Sequence, residues 1–145
     1  MIATGKLPKM EHRQIPSGLH DLSAAARPDL SVVAALCGFV AVAMGAFGAH
    51  AFRPLLVDLA TQETWNTASQ YHLIHAVVLL CIAFARPGAR LGFWLIFTGI
   101  VLFSGSLYVF SLTGLKDVAL AAPAGGLCLL AGWLALVFQA RRTQA

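Results

Sequence analysis

Two pairs of residues in this sequence could do chemistry at the edge of, or inside, long apolar stretches. His72 and His75 stand three positions apart in TWNTASQYHLIHAVVLL, and His50 and Arg53 stand close together in GAFGAHAFRPLL. Residues three apart share one face of a helix, so His72 and His75 could hold a metal or haem iron, or relay a proton. Their apolar stretch contains no carboxylate to pair with them. The structural interpretation, in which each imidazole bonds a neighbouring Ser, Tyr71 or a backbone carbonyl, is therefore favoured.

His50 and Arg53 have a similar pair of interpretations. As a site, they offer cationic donors to an anion or a lipid headgroup. As structure, Arg53 reaches the polar interface and Pro54 prevents the helix from continuing. His50 lies about 160° around the helix from Gly48, so we expect it to cap and anchor the helix end.

The composition defines the elements that carry these residues. The 145 residues are 59% hydrophobic and 11% charged, with a mean hydropathy of +0.77, whereas a soluble domain has roughly 25% charged residues. The few charges between residues 30 and 140 cluster in three short breaks that separate apolar stretches of about 20 residues. This pattern predicts an all-α integral membrane bundle of four transmembrane helices. The predicted spans are about 30–51, 66–85, 91–115 and 118–140, between a flexible N-terminal tail (1–29) and a short C-terminal tail (141–145).

The distribution of Lys and Arg predicts the orientation. With a cytoplasmic N-terminus, eight of these residues lie on the cytoplasmic side and only Arg53 and Lys116 lie opposite. Basic residues favour the cytoplasmic side, so both tails are predicted to be cytoplasmic. The same rule accounts for the net charge of +4. No basic stripe interleaved with aromatic residues is present, which argues against nucleic-acid binding.

Small residues recur at helical spacing in every span. In the first span the spacings are 4, 3, 4 and 3, and glycines mark the third and fourth spans. Helices in lipid associate by close packing of such residues, so a bundle with a small-residue core is predicted. The residues of this predicted seam are Ala34, Gly38, Ala41, Gly45, Gly48, Gly92, Gly99, Gly125 and Gly132.

A rise of about 1.5 Å per residue places the polar residues of all four spans at one level, in the outer half of the membrane. The sequence thus predicts a candidate polar pocket formed by His50, Arg53, Tyr71, His72, His75, Ser104 and Ser106. No nucleophile–base pair, phosphate-binding loop, zinc-ligand spacing or paired carboxylates occur. The three cysteines lie inside apolar stretches, as packing residues do. We therefore expect neither an enzyme nor a bound cofactor or metal.

Four segments in order carry a family resemblance, over about Val32 to Leu136. GAFGAHAFRPLL, TWNTASQYHLIHAVVLL, LIFTGIVLFSGSLYVFSLTG and AAPAGGLCLLAGWLAL together resemble the YgdD-like small membrane proteins. This family is also called domain of unknown function 423 and has vertebrate transmembrane relatives. The resemblance implies a multi-pass protein of the bacterial inner membrane with unassigned activity. It supplies no catalytic residues to carry over.

We expect a non-enzymatic accessory, assembly or structural protein whose partners are the lipid bilayer and another membrane protein or a second copy. The alternative is a protein that binds or conducts a small ligand (haem, quinone, metal or ion) in the polar pocket around His72 and His75.

Overall fold

The computed structural model describes residues 28–56, 58–86 and 88–142. Its helices are α1 (Pro28–Ala49), α2 (Leu59–Ala85), α3 (Arg90–Thr113), the single turn α4 (Lys116–Ala119) and α5 (Ala121–Arg142). These residues contain no strand. The predicted N-terminal tail lies outside the described residues except for its last two, which begin α1, and so does most of the C-terminal tail.

Within the described ranges, four segments are long and apolar enough to cross a membrane: Leu30–Ala49, Ala60–Ala85, Arg90–Thr113 and Lys116–Ala140. Each exceeds or matches the roughly 20 residues that a bilayer requires. The predicted all-α protein with four transmembrane helices is confirmed. The cytoplasmic placement of both termini stays a prediction.

The start of α2 differs from the predicted start near residue 66. Asp58 is the N-cap: its Oδ1 accepts a hydrogen bond from Thr61 N at 2.7 Å, and Asp58 N donates to Thr61 Oγ1 at 3.4 Å. Such a reciprocal cap satisfies backbone N–H groups that the first turn leaves unpaired. The helix therefore begins at Leu59, and Trp65 lies in its second turn rather than at its start.

The ends of α3 and the beginning of α5 also have local causes. Gly114 follows α3 with a φ of 69° and its N–H donates to Phe110 O. This left-handed conformation favours glycine and terminates helices. The predicted fourth span is divided by Leu120 into α4 and α5. Pro123 lies in the first turn of α5, where the missing N–H costs little.

The long helices pack in the order in which they occur. Among the described elements α1 packs on α2, α2 packs on α3, and α3 packs on α5, and neither α1 nor α2 approaches α5 closely along the backbone. The central helices α2 and α3 thus carry the peripheral helices α1 and α5. The largest buried cluster includes Leu79, Phe93 and Ile96, which lie on these two central helices.

Glycines permit the closest approach, between α3 and α5. A Cβ on Gly125 would collide with the backbone of Phe103, and a Cβ on Gly132 would lie 2.6 Å from Cγ1 of Ile96. A Cβ on Gly92 or Gly99 would likewise collide with Leu136 or Leu129 of α5. Small residues at helix interfaces have this function in membranes.

The face of α1 that meets α2 is not the whole predicted seam. Ala34, Cys37 and Ala41 are buried, and a Cβ on Gly48 would collide with the indole of Trp65. A Cβ on Gly38 or Gly45, by contrast, would meet no atom within 4 Å. The buried positions of α1 thus run through Cys37, whereas a side chain at Gly38 or Gly45 would enter open space.

Candidate functional site

His75 joins α2 to α5 with both of its ring nitrogens occupied. Its Nδ1 lies 2.7 Å from the backbone oxygen of Tyr71. A carbonyl oxygen only accepts, so Nδ1 carries the hydrogen and donates. Nε2 then has a lone pair, which accepts a hydrogen bond from Trp133 Nε1 at 3.2 Å. The geometry defines one tautomer of the neutral imidazole and leaves neither nitrogen open to a metal.

His72 faces a different pair of helices, α1 and α3. Its Nε2 lies 3.4 Å from Cys37 Sγ and its Nδ1 lies 3.5 Å from Tyr108 Oη. The Tyr108 hydroxyl donates to Ser69 Oγ at 3.3 Å. Because the Tyr108 hydroxyl hydrogen is given to Ser69, Nδ1 of His72 donates to Tyr108 Oη, and Nε2 accepts from the Cys37 thiol. The four side chains connect three helices through buried polar contacts.

Trp65 connects the hydrogen-bonded side chains around His72 to the loop that follows α1. The indole is buried, and its Nε1 donates to the backbone oxygen of Met44 at 3.2 Å. Its ring centroid lies 4.7 Å from that of Tyr108 and 5.5 Å from that of Phe52. A buried indole needs a partner for its N–H, and a carbonyl of the neighbouring helix supplies it here.

Of the other predicted site residues, Tyr71 lies beside His75, whereas the remaining four line neither histidine's groove. His50 and Arg53 are exposed in the segment after α1. Ser106 donates to the backbone oxygen of Phe103 at 3.0 Å, whereas the buried Ser104 hydroxyl has no hydrogen-bond partner. The seven residues predicted to form one polar pocket therefore lie in separate surroundings. Topology explains this difference, because His72 faces α1 while His75 faces α5.

Each histidine lines a groove of its own. The α1–α3 groove, of about 500 Å³, has His72, Cys37 and Tyr108 in its wall, together with apolar residues and Gly105. The α2–α5 groove, of about 520 Å³, includes Tyr71, His75 and Trp133. Both volumes fall within the range of small-molecule sites, roughly 300–1,000 Å³.

Of the partners that the histidines have, the sequence predicted the kind that His75 finds in the backbone oxygen of Tyr71, but not the side-chain partners. Cys37 was interpreted as a packing residue, and Trp133 and Tyr108 were not assigned to the pocket. The available signal was chemical: an indole N–H and a phenol inside apolar helices require partners. In the part of the chain that the structure describes, no three His, Cys, Asp or Glu side chains are placed to hold a metal ion.

Four membrane-crossing helices with buried histidines that join them define a multi-pass integral membrane protein. The family described as "Protein of unknown function (DUF423)" matches residues 44–126, which is more than half of the chain. The chain belongs to this family, and the resemblance found from the sequence is confirmed.

Curated relatives agree with this assignment. The chain is 36% identical to the UPF0382 membrane protein YwdK of Bacillus subtilis (strain 168) over 115 residues, covering 75% of this chain and 93% of the relative. It is also 36% identical to the UPF0382 inner membrane protein YgdD of Escherichia coli (strain K12) over 118 residues, covering 77% and 88%. No solved structure matches the chain. The localisation in a bacterial inner membrane agrees with the name of the second relative.

Proposed function

We propose that this protein is a non-enzymatic accessory or assembly protein that binds another membrane-spanning protein. One observation carries the proposal: the ring nitrogens of both buried histidines have protein partners, and each histidine connects α2 to another helix. Both nitrogens of His75 are occupied, by Tyr71 and Trp133, and both nitrogens of His72 have partners. Groups arranged in this way hold helices together and leave no open catalytic position.

The surface of α1 and α2 supports binding of a partner helix. Gly38 and Gly45 have open space where a Cβ would lie, so another helix could approach α1 closely there. Gly45 also lines a shallow groove of about 390 Å³ between α1 and α2, together with Ala46 and Gln70. Gln70 is exposed in α2. An amide in a membrane-spanning helix gains from a partner on another helix, and the proposed occupant is a transmembrane helix of a different protein.

Purification in mild detergent with measurement of the complex mass tests the proposal. A second membrane protein in fixed stoichiometry is expected, and its recovery should fall at least severalfold in Gly45→Leu. Ala131→Leu is the matched control, because Ala131 is exposed on α5, and it should retain the partner. A mass that corresponds only to one or two copies of this chain would overturn the proposal, and so would equal recovery from both variants.

The α1–α3 groove supports a second candidate, a binder of an apolar ligand such as a quinone or haem. Its walls are mainly apolar, with the polar groups of His72 and Tyr108 between them. A Cβ on Gly105 would meet no atom within 4 Å, so Gly105→Leu should fold and fill the groove. Absorbance spectra of the protein and mass spectrometry of solvent extracts then show whether a ligand is bound. A ligand retained by the native protein and lost from Gly105→Leu supports the candidate, and its absence from both contradicts it.

A further inference from the structure

A small cavity lies where the polypeptide passes from α1 to α2. Its volume is about 180 Å³, and it is lined by Gly48, Ala49, Arg53, Leu56, Gln62 and Asn66. The apolar stretch of α1 ends at Ala49 and that of α2 begins at Ala60. The cavity therefore lies at the edge of the membrane-spanning region, at the level where lipid headgroups meet the protein.

The frame of this cavity is held in place by buried contacts. Gln62 Nε2 donates to the backbone oxygen of Leu56 at 3.0 Å, and the Leu56 side chain is buried. Leu56 N in turn donates to Phe52 O at 3.0 Å, and the Phe52 ring packs edge-on against Trp65. The loop is thus fixed to the beginning of α2 and to the end of α1.

The chemistry of the cavity differs from that of the larger grooves. Most of its surface is polar, whereas the α1–α3 groove is almost wholly apolar. The side chains of Arg53 and Asn66 make no hydrogen bond or ion pair with any residue in the described ranges. The acidic residues nearest in sequence, Asp58 and Glu63, do not line the cavity. A cation and an amide without protein partners thus meet at one polar cavity.

We propose that this cavity binds a phosphate-bearing anion. A guanidinium pairs with phosphate oxygens through two parallel hydrogen bonds, and a carboxamide can donate further hydrogen bonds. The volume is below the roughly 300–1,000 Å³ of pockets for drug-sized ligands, which suits a single compact anion. The phosphate belongs either to a phospholipid headgroup or to a free phosphate, and both present the same oxygens to Arg53. The inference does not depend on the proposed partner.

Isothermal titration of the purified protein in a neutral detergent tests the site. Three probes are used: inorganic phosphate, dioctanoylphosphatidylglycerol, and dioctanoylglycerol, which lacks the phosphate. Binding of the phospholipid but not of the dioctanoylglycerol is expected. Saturable binding of inorganic phosphate as well identifies a site for free anions, whereas its failure to bind identifies a headgroup site.

Variants connect the binding to the cavity. Arg53→Gln should raise the Kd for the phospholipid about tenfold, since hydrogen bonds to charged groups contribute that much or more. Arg86→Gln removes an exposed arginine at the opposite end of α2 and should leave the Kd unchanged. If Arg53→Gln does not fold, the Kd of Asn66→Ala for the phospholipid is measured in its place. An unchanged Kd in the folded cavity variant, an equal loss in Arg86→Gln, or no difference between the two lipids would overturn the proposal.

Discussion

Trp133 and His75 join α5 to α2 through a hydrogen bond of 3.2 Å from Nε1 to Nε2, although the backbones of these helices do not pack closely. The bond crosses the α2–α5 groove, whose wall contains both side chains. It is possible because Nδ1 of His75 donates to Tyr71, which leaves Nε2 as an acceptor. The hydrogen bond to Tyr71 within α2 thus sets the tautomer of His75 that accepts a hydrogen bond from Trp133 of α5.

A double-mutant cycle measures this bond. His75→Ala removes the acceptor, and Trp133→Phe removes the donor while keeping an aromatic ring. Hydrogen bonds between membrane helices contribute about 0.6 kcal/mol on average and at most about 1.7 kcal/mol, so a coupling energy in this range is expected. Reversible unfolding of the four proteins in mixed detergent micelles gives the value. Additive effects of the two substitutions would contradict the assignment.

Gly48 should tolerate no side chain, in contrast to other glycines of α1. In Gly48→Ala the new methyl group meets the buried indole of Trp65, and overpacking of this kind costs about 1–3 kcal/mol. Gly38→Ala is the matched control, because its Cβ meets no atom within 4 Å. Alanine also favours the helix by about 0.5–1 kcal/mol. The free energy of unfolding should fall in the first variant and stay level or rise in the second, and the reverse order would refute the assigned face of α1.

Two adjacent glycines of α5 give a sharper comparison. A Cβ on Gly125 would enter the space of the Phe103 backbone, while a Cβ on Gly126 would have its nearest neighbour at 3.9 Å. Gly125→Ala should therefore separate α3 from α5 and lower stability by about 1–3 kcal/mol. Gly126→Ala should be close to neutral or stabilising. Thermal unfolding in detergent measures both, and similar losses would show that α5 is rotated differently.

The N-cap of α2 predicts a dependence of stability on pH. Hydrogen bonds from Thr61, the backbone N–H first, hold the pKa of the Asp58 carboxyl below its usual range. A lowered pKa means that the native state binds fewer protons than the unfolded state. The stabilisation is fully present above about pH 4, the usual pKa of Asp, and it is lost as the pH falls through the lower native pKa.

Asp58→Ala should consequently unfold a few degrees below the native protein at neutral pH, and the difference should shrink on acidification. Melting temperatures of both proteins across this range provide the measurement. Glu63→Ala is a suitable control, because Glu63 is exposed and follows the cap on the same helix. A difference that persists at the lowest pH would argue against the cap.

The predicted orientation can be read by cysteine labelling in intact cells. In a variant whose three cysteines are replaced by alanine, Leu115→Cys and Gly88→Cys introduce single exposed thiols without changing any charge. With a cytoplasmic N-terminus, Leu115 lies outside and Gly88 lies inside. An impermeant maleimide should label the first strongly and the second only after lysis. The opposite pattern would reverse the assigned orientation.

The sequence was sufficient for the number and type of the helices, because charges interrupt apolar stretches at three places. It placed the start of α2 too late, since Thr61 was not considered as the partner of an Asp58 cap. On α1 the regular series through Gly38 and Gly45 predicted one packing face, whereas the buried face in the structure contains Cys37. A difference of one residue rotates a helix by about 100°, and only the packed partner selects among such rotations.

The site required still more than helical periodicity. The three-residue spacing of His72 and His75 in a membrane span indicated that both face the interior of the bundle, but their separation follows from the order of the helices. Cys37, Tyr108 and Trp133 come from three different helices. The partner of each imidazole depends on the rotation and depth of every helix. The pattern of apolar residues does not determine either quantity.

The sequential order of packing has a consequence for biosynthesis. When α2 leaves the ribosome, its partner α1 has already been synthesised, and the same is true of α3 with α2 and of α5 with α3. From α2 onward, each long helix therefore enters the bilayer when its preceding partner has already been made. The insertion machinery can release the helices one after another, each onto a surface that already exists. The bond from Trp133 to His75 forms only once α5 has been synthesised, and it then connects α5 to a helix on which its backbone does not pack.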